Sequence, residues 1–139
     1  MKALIVYWSG TGNTRGMAEA IADGVKAEGW EADVFSVSDF GGGFDGYDKI
    51  FLGCPAMGGE ELEESEFLPF YEKSKAALSG RQVGLFGSYG WGDSEWMRNW
   101  EKDLAGTGAS HIGGKGFICQ ESQDGIYAAC VDYAKKSIS

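Results

Sequence analysis

Residues Ala3-Leu4-Ile5-Val6-Tyr7-Trp8 form an unbroken apolar run that stops at Ser9-Gly10-Thr11-Gly12-Asn13-Thr14. No other stretch narrows the fold as much. A continuous apolar run of about four to eight residues reads as a strand buried on both faces. Beyond the loop, Met17, Ala18, Ile21, Ala22 and Val25 recur at helical spacing. Strand, polar loop and helix in that order build an anion site, because the first turn of a helix carries unpaired N–H groups and a partial positive charge. Ser9, Thr11, Asn13 and Thr14 add side-chain donors, while Gly10 and Gly12 let the backbone curl close to a ligand. The loop contains no lysine, so it would hold a phosphate through N–H and O–H donors alone.

Two familiar phosphate loops are excluded. GxxxxGK[ST] is absent, and Arg15 stands where the third glycine of GxGxxG belongs. The run Ser9 to Thr14 instead resembles the phosphate loop of flavodoxins, which cradles the single phosphate of FMN.

The chain has 139 residues, a usual size for one domain, here taken as 1–139. The first helix is expected from about Asn13 to Glu28, stopping at Gly29. Glu31 to Val37 reads as strand two, and Phe40 to Asp48 as a glycine-rich loop. Ile50 to Cys54 reads as a short buried strand closed by Pro55, followed by a polar loop from Ala56 to Ser65. Phe67, Leu68, Phe70, Tyr71 and Leu78 carry a second helix, with Pro69 in its first turn. Gln82 to Gly87 is strand four, Ser88 to Asp93 a glycine-rich loop, and Trp96, Met97, Trp100 and Leu104 the stripe of a third helix. Gly116 to Cys119, extended back toward Ile112, is strand five; a last helix follows with Ser122 as its N-cap. Strands alternating with helices imply a parallel sheet covered on both faces. The expectation is a flavodoxin-like α/β three-layer sandwich: five parallel strands in the order 2-1-3-4-5, with ligands outside the carboxyl ends at the switch point.

Composition excludes several functions. The formal net charge of −9 disfavours nucleic acid and anionic membranes and favours basic protein partners. No apolar run approaches the roughly 20 residues of a bilayer span, and Met1-Lys2 leads straight into strand one with no visible signal peptide. Cys54, Cys119 and Cys130 are widely spaced without a CxxC, so they read as small buried residues rather than a disulfide framework or a cluster. His111 is the only histidine, which makes a zinc site or a histidine-based triad a poor fit. The five tryptophans suit a protein that stacks on a flat ligand.

The loops after strands three and four read Pro55-Ala56-Met57-Gly58-Gly59-Glu60 and Gly87-Ser88-Tyr89-Gly90-Trp91-Gly92-Asp93. Each sets one large polarizable group among glycines, and Met57 and Trp91 could cover the two faces of a flat aromatic ring. Both loops resemble the flavin-clasping loops of short-chain, clostridial-type flavodoxins. The resemblance covers the whole chain, with all three motifs in order. It implies that Ser9 to Thr14 bind the FMN phosphate, that Met57 and Trp91 sandwich the isoalloxazine, and that Glu60 accepts flavin N3–H. Backbone groups of Gly58, Gly59 and Trp91 would meet the pyrimidine edge and N5, with Ser88 and Asp93 near the ribityl chain or ring. Gly59 stands where aspartate is frequent in that family. The implied role is low-potential one-electron transfer in place of ferredoxin, by a cytoplasmic monomer without catalytic residues or metal. Its partners would be reductases and ferredoxin-dependent oxidoreductases with basic docking surfaces.

Glu60, Glu61, Glu63, Glu64 and Glu66 crowd five carboxylates into seven positions. They read either as a solvated helix start or as an acidic rim around the flavin edge. Two other classes fit these residues less well. An NAD(P)H-dependent quinone or flavin reductase needs room for a second substrate over a ring that Met57 and Trp91 would cover. A phosphoacceptor receiver domain needs an acidic pair after strand one, an aspartate after strand three and a lysine after strand five. Ser9-Gly10, Cys54-Pro55 and Gln120-Glu121 stand there instead.

Overall fold

The computed structural model describes residues 1–58 and 61–138. Strands β1 (Lys2–Tyr7), β2 (Glu31–Ser36), β3 (Lys49–Gly53) and β4 (Gln82–Tyr89) pair in parallel in the order β2-β1-β3-β4. Their registers run Ala3 beside Ala32 and Lys49, and Ile50 beside Val83. Helices α1 (Asn13–Ala27), α2 (Phe67–Leu78), α3 (Glu95–Ala105) and α4 (Ile126–Ile138) cover the sheet.

Side-chain alternation sorts the helices between the two faces. Leu4, Val6 and Leu52 join one core with Phe67 and Tyr71 of α2 and Trp96 and Trp100 of α3. Ala3, Ile5 and Phe51 join the other with Met17, Ile21 and Val25 of α1 and Cys130 and Ala134 of α4. Helices α1 and α4 meet closely at Gly24, where a Cβ would stand 2.6 Å from the Val131 carbonyl oxygen. Between β2 and β3 no helix forms among the described residues; Phe40 and Phe44 fold over Phe70 instead and close that end of the core.

The fifth position of the sheet departs from expectation. It is filled by two short strands, β5 (Ser110–His111) beside Gln82 and Val83, and β6 (Phe117–Gln120) beside Phe86 to Tyr89. Gly113 and Gly114 lie at φ 75° and 73° between them, in and after a tight turn, and a strand cannot run through that conformation. Strand β4 extends to Tyr89 rather than ending at Gly87, because Ser88 and Tyr89 pair with Cys119 and Gln120. Ser122 is not an N-cap. Residues 120–123 close a turn, with the Gln123 N–H on the Gln120 carbonyl (3.0 Å) and the Gln120 N–H on Gln123 Oε1 (2.6 Å), and α4 starts only after Gly125. The three cysteines are buried and free. No helix among the described residues is long and apolar enough to cross a membrane.

Candidate functional site

The loops after β1, β3 and β4 meet at the carboxyl edge of the sheet, held there by backbone bonds that prolong the strand pairing. Trp8 N–H reaches the Gly53 carbonyl (3.0 Å), Cys54 N–H the Phe86 carbonyl (3.1 Å) and Ala56 N–H the Ser88 carbonyl (3.0 Å). Beneath them the hydroxyls of Thr14 and Ser88 share a buried hydrogen bond of 2.9 Å, which pins the first turn of α1 to the end of β4.

The phosphate-type loop pre-shapes itself. Ser9 Oγ accepts the Gly12 N–H (3.0 Å), and Asn13 Nδ2 donates to Thr11 Oγ1 (3.0 Å). Gly12 caps α1 at φ 99°, and no side chain caps the helix. The N–H groups of its first turn are therefore presented to an incoming acceptor, as an anion site requires. Gly10, Thr11 and Gly12 are exposed, whereas Thr14 is only 1% exposed and its hydroxyl is engaged by Ser88. Thr14 thus faces a ligand with its backbone, and Ser88 is turned inward with it.

Met57, Gly58, Gly90 and Trp91, with Ala56, line a slot of about 50 Å³ between the other two loops. Trp91 is 72% exposed. The other tryptophans do structural work: Trp96 and Trp100 are core, and Trp8 and Trp30 pack against the two core clusters. Met57 N–H donates to the Glu61 carbonyl (3.2 Å), closing the loop from below. Gly59 and Glu60, expected to meet the ring's N5 and N3, lie outside the described residues. Pro55 is half-buried at the end of β3, and Tyr89 ends β4 with its ring against Trp96. Gly92 is exposed, and Asp93 is tied to α3, its carbonyl and carboxylate both facing Arg98 (2.7 and 3.4 Å).

The acidic run divides. Glu63 is buried, and its carboxylate accepts N–H from Ser65 (2.8 Å), Glu66 (2.8 Å) and Phe67 (2.9 Å) as well as the Ser65 hydroxyl. Burial alone would raise its pKa, but these donors outweigh burial and bring it down to about 2. Glu63 is the anchor of α2's start and no part of an acidic rim. Glu66 accepts Trp8 Nε1–H (3.2 Å), and the charge of Glu64 beside Glu61 raises the Glu61 pKa. Burial pushes the Cys54 thiol up to about 12, so it stays protonated.

Two neighbours of the site escaped the sequence reading. Trp8 lies across Gly10, with a ring carbon 3.0 Å from where a Cβ would stand. Glu121, following β6, takes the N–H bond to the Tyr89 carbonyl (2.8 Å), and its carboxylate would lie 3.4 Å from a Cβ at Gly90. The signal was available: strand five ends at the same edge of the sheet as the three loops.

Uncapped helix donors beside a glycine-lined slot with one exposed indole fit a ligand that joins a phosphate to a flat ring. They define a small α/β carrier of a mononucleotide cofactor. A family model described as Flavodoxin matches residues 5–133. The chain is 46% identical over 135 residues to flavodoxin of Clostridium beijerinckii, covering 95% of this chain and 96% of that one. It is 54% identical over 112 residues to flavodoxin of Megasphaera elsdenii, covering 78% and 80%. The solution structure of two-electron reduced Megasphaera elsdenii flavodoxin superposes with a TM-score of 0.85 at 41% identity, covering 97% of each chain. The chain belongs to the flavodoxin family, FMN-binding electron carriers that act on redox partner proteins rather than as enzymes, and it is of the clostridial type.

Proposed function

We propose that the chain, as a single 1–139 domain, is a low-potential one-electron carrier with one non-covalently bound FMN, shuttling electrons between redox enzymes in place of ferredoxin. The observation that supports this most directly is Trp91, exposed and facing Met57 across a slot at the end of an uncapped phosphate loop. FMN, when bound, supplies the electron chemistry. The protein's part is to bind, orient and bias. Ser9 to Thr14 hold the phosphate through backbone N–H groups and the exposed hydroxyls. Pro55, Ala56, Met57 and Gly58 form one wall of the ring site, and Tyr89, Gly90, Trp91, Gly92 and Asp93 form the other. Glu60 accepts N3–H, and its charge raises the cost of placing negative charge on the ring.

Glu61, Glu64, Asp93 and Glu121 stand on the loops around the slot, and net charge is −9. Partners with basic docking faces are steered to that edge, and nucleic acid and membrane surfaces are repelled. The protein works as a cytoplasmic monomer.

Trp91→Ala tests the reading. Flavin fluorescence, quenched in the parent complex, should reappear, and FMN affinity should fall by about 1–3 kcal/mol, the scale of base–aromatic stacking. Unchanged affinity and quenching would remove Trp91 from the site. A second variant tests the turn. The turn Met57-Gly58-Gly59-Glu60 would serve as the redox switch, a backbone carbonyl in it being free to rotate and accept a hydrogen bond from an N–H at the ring's N5. Such a turn needs a residue that tolerates φ > 0, and Gly59 does. Gly59→Val should lower the potential of the first one-electron step and narrow its separation from the second; 59 mV corresponds to a tenfold change in that equilibrium. Potentiometric titration of the FMN-loaded variant reads this directly, and a first-step potential equal to the parent's refutes the switch.

A further inference from the structure

An open cavity lies at the opposite end of the sheet from the flavin loops. It measures about 550 Å³, within the usual range for small-molecule sites. It sits where β3, β4 and β5 begin, under the C-terminal turn of α4, with Gln82 on its floor. Gln82 and Tyr89 bound the same strand, so about 23 Å of β4 separates this cavity from the Trp91 loop.

Its lining has the wrong charge for the rest of the protein. The chain carries 21 acidic and 12 basic residues, yet Lys49, Lys115, Lys136 and His111 line the cavity and, among the described residues, no aspartate or glutamate does. Ile112, Phe117 and the Tyr133 ring supply apolar wall. Two lining side chains also have buried polar atoms without a hydrogen-bond partner, His111 Nε2 and Tyr133 Oη. The Ser137 hydroxyl, beside Tyr133, donates to the Tyr133 carbonyl at 2.7 Å. Both atoms lie behind the cavity wall, Tyr133 Oη against Gly84, where a Cβ would stand 2.6 Å from it.

We propose that this cavity binds a small organic anion: a carboxylate or phosphate headgroup on an apolar body. The headgroup takes the lysine charges beside His111, and the body lies on Ile112 and Phe117. The lysines are compatible with this. Lys49 Nζ donates to the Ser137 carbonyl and keeps further N–H bonds to give, Lys136 pairs with Asp132 (2.9 Å), and Lys115 is exposed on the loop before β6. Glu101 of α3, whose charge acts on His111, accepts the Gly116 N–H (2.6 Å). Burial holds the His111 pKa below its usual value, with Glu101 pulling the other way, so the ring is neutral at pH 7 and one nitrogen keeps a proton to donate.

His111 is the only histidine, so its Cε1–H resonance reports on this cavity alone. The FMN-loaded protein is titrated at pH 7 with benzoate, phenyl phosphate and, as the neutral match, benzyl alcohol. Benzoate or phenyl phosphate should shift the resonance saturably at millimolar concentration and raise the His111 pKa, while benzyl alcohol should not; the tighter anion identifies the headgroup. Lys115→Gln should weaken binding roughly fivefold, one unit charge at close range in near-aqueous dielectric, and Lys73→Gln on distant α2 should leave it unchanged. Three results overturn the proposal: no saturable shift with either anion, equal binding of benzyl alcohol, or equal weakening by both lysine variants. Flavin absorbance recorded in parallel should stay constant; a change that tracks the His111 shift would place the binding at the flavin loops and overturn it as well.

Discussion

Glu63→Ala should destabilise the protein by about 3 kcal/mol at pH 7, and the deficit should shrink as the solution is acidified. Four donors converge on this one buried carboxylate: three backbone N–H groups at the start of α2 and the Ser65 hydroxyl. They hold its pKa at about 2 against an ordinary 4.5. A depressed carboxylate pKa contributes stability that is fully present above the unfolded value and lost as pH falls through the folded one. The window is therefore about pH 4.5 down to about pH 2. Holding the carboxylate at about 2 rather than 4.5 is worth about 3 kcal/mol. Urea unfolding of parent and variant at pH 7 and pH 3 measures it. The gap should be about half as large at pH 3, and a gap that does not change with pH would show that the charge contributes nothing. Glu63→Gln, which keeps the shape, should recover only part of the loss. The loop that carries Met57 runs back into this anchor through the Glu63 N–H, which donates to Cys54 Sγ (3.4 Å). The variant should also bind FMN less tightly.

Glu63 shows where reading the chain without coordinates reaches its end. Five carboxylates in seven positions look alike, and all of them suit a helix start. Which one folds inward depends on the path of the chain between Pro55 and Phe67, and that path has no period to read. The strands behaved differently. Ala3 to Val6 and Ile50 to Leu52 are apolar on both faces, which is the mark of a covered parallel sheet, and their alternate residues do enter the two separate cores. Strand five is present at Phe117–Gln120, and only its extension back toward Ile112 fails, for a local reason: Gly113 and Gly114 turn the chain between Ile112 and Phe117. The tryptophans divide in the same way. Trp96 and Trp100 sit at helical spacing and are core, whereas Trp91 lies between glycines where no periodic element could bury it, and it alone among the five is largely exposed. Gly59 and Glu60, on which the redox reading leans, are the part of the site that lies outside the described residues.

One glycine of the loop motif after strand four acts on the site through the sheet rather than through the ligand. Gly87 lies within β4, where a Cβ would stand 2.3 Å from the Cys54 carbonyl oxygen and 3.0 Å from the Trp96 ring. The first contact is with backbone, so no rotamer change relieves it. The same carbonyl accepts Trp96 Nε1–H at 3.2 Å, and the Cys54 N–H is already bonded to the Phe86 carbonyl. A methyl group at 87 must push the end of β3 outward, and that weakens both bonds. Overpacking of this kind costs about 1–3 kcal/mol, and a weakened buried hydrogen bond about 1 kcal/mol more. Gly87→Ala should therefore lose about 3 kcal/mol in urea unfolding. Gly41→Ala, which meets nothing within 4 Å, should stay within about 0.5 kcal/mol of the parent. The functional effect follows from the same displacement. Cys54 leads directly into Pro55, Ala56 and Met57, so moving its carbonyl moves one wall of the slot away from Trp91. FMN should bind at least about tenfold more weakly to folded Gly87→Ala protein, or about 1.4 kcal/mol. Fluorescence titration below the unfolding transition separates this from lost stability. If the variant folds less stably but binds FMN as the parent does, Gly87 shapes the sheet and not the site.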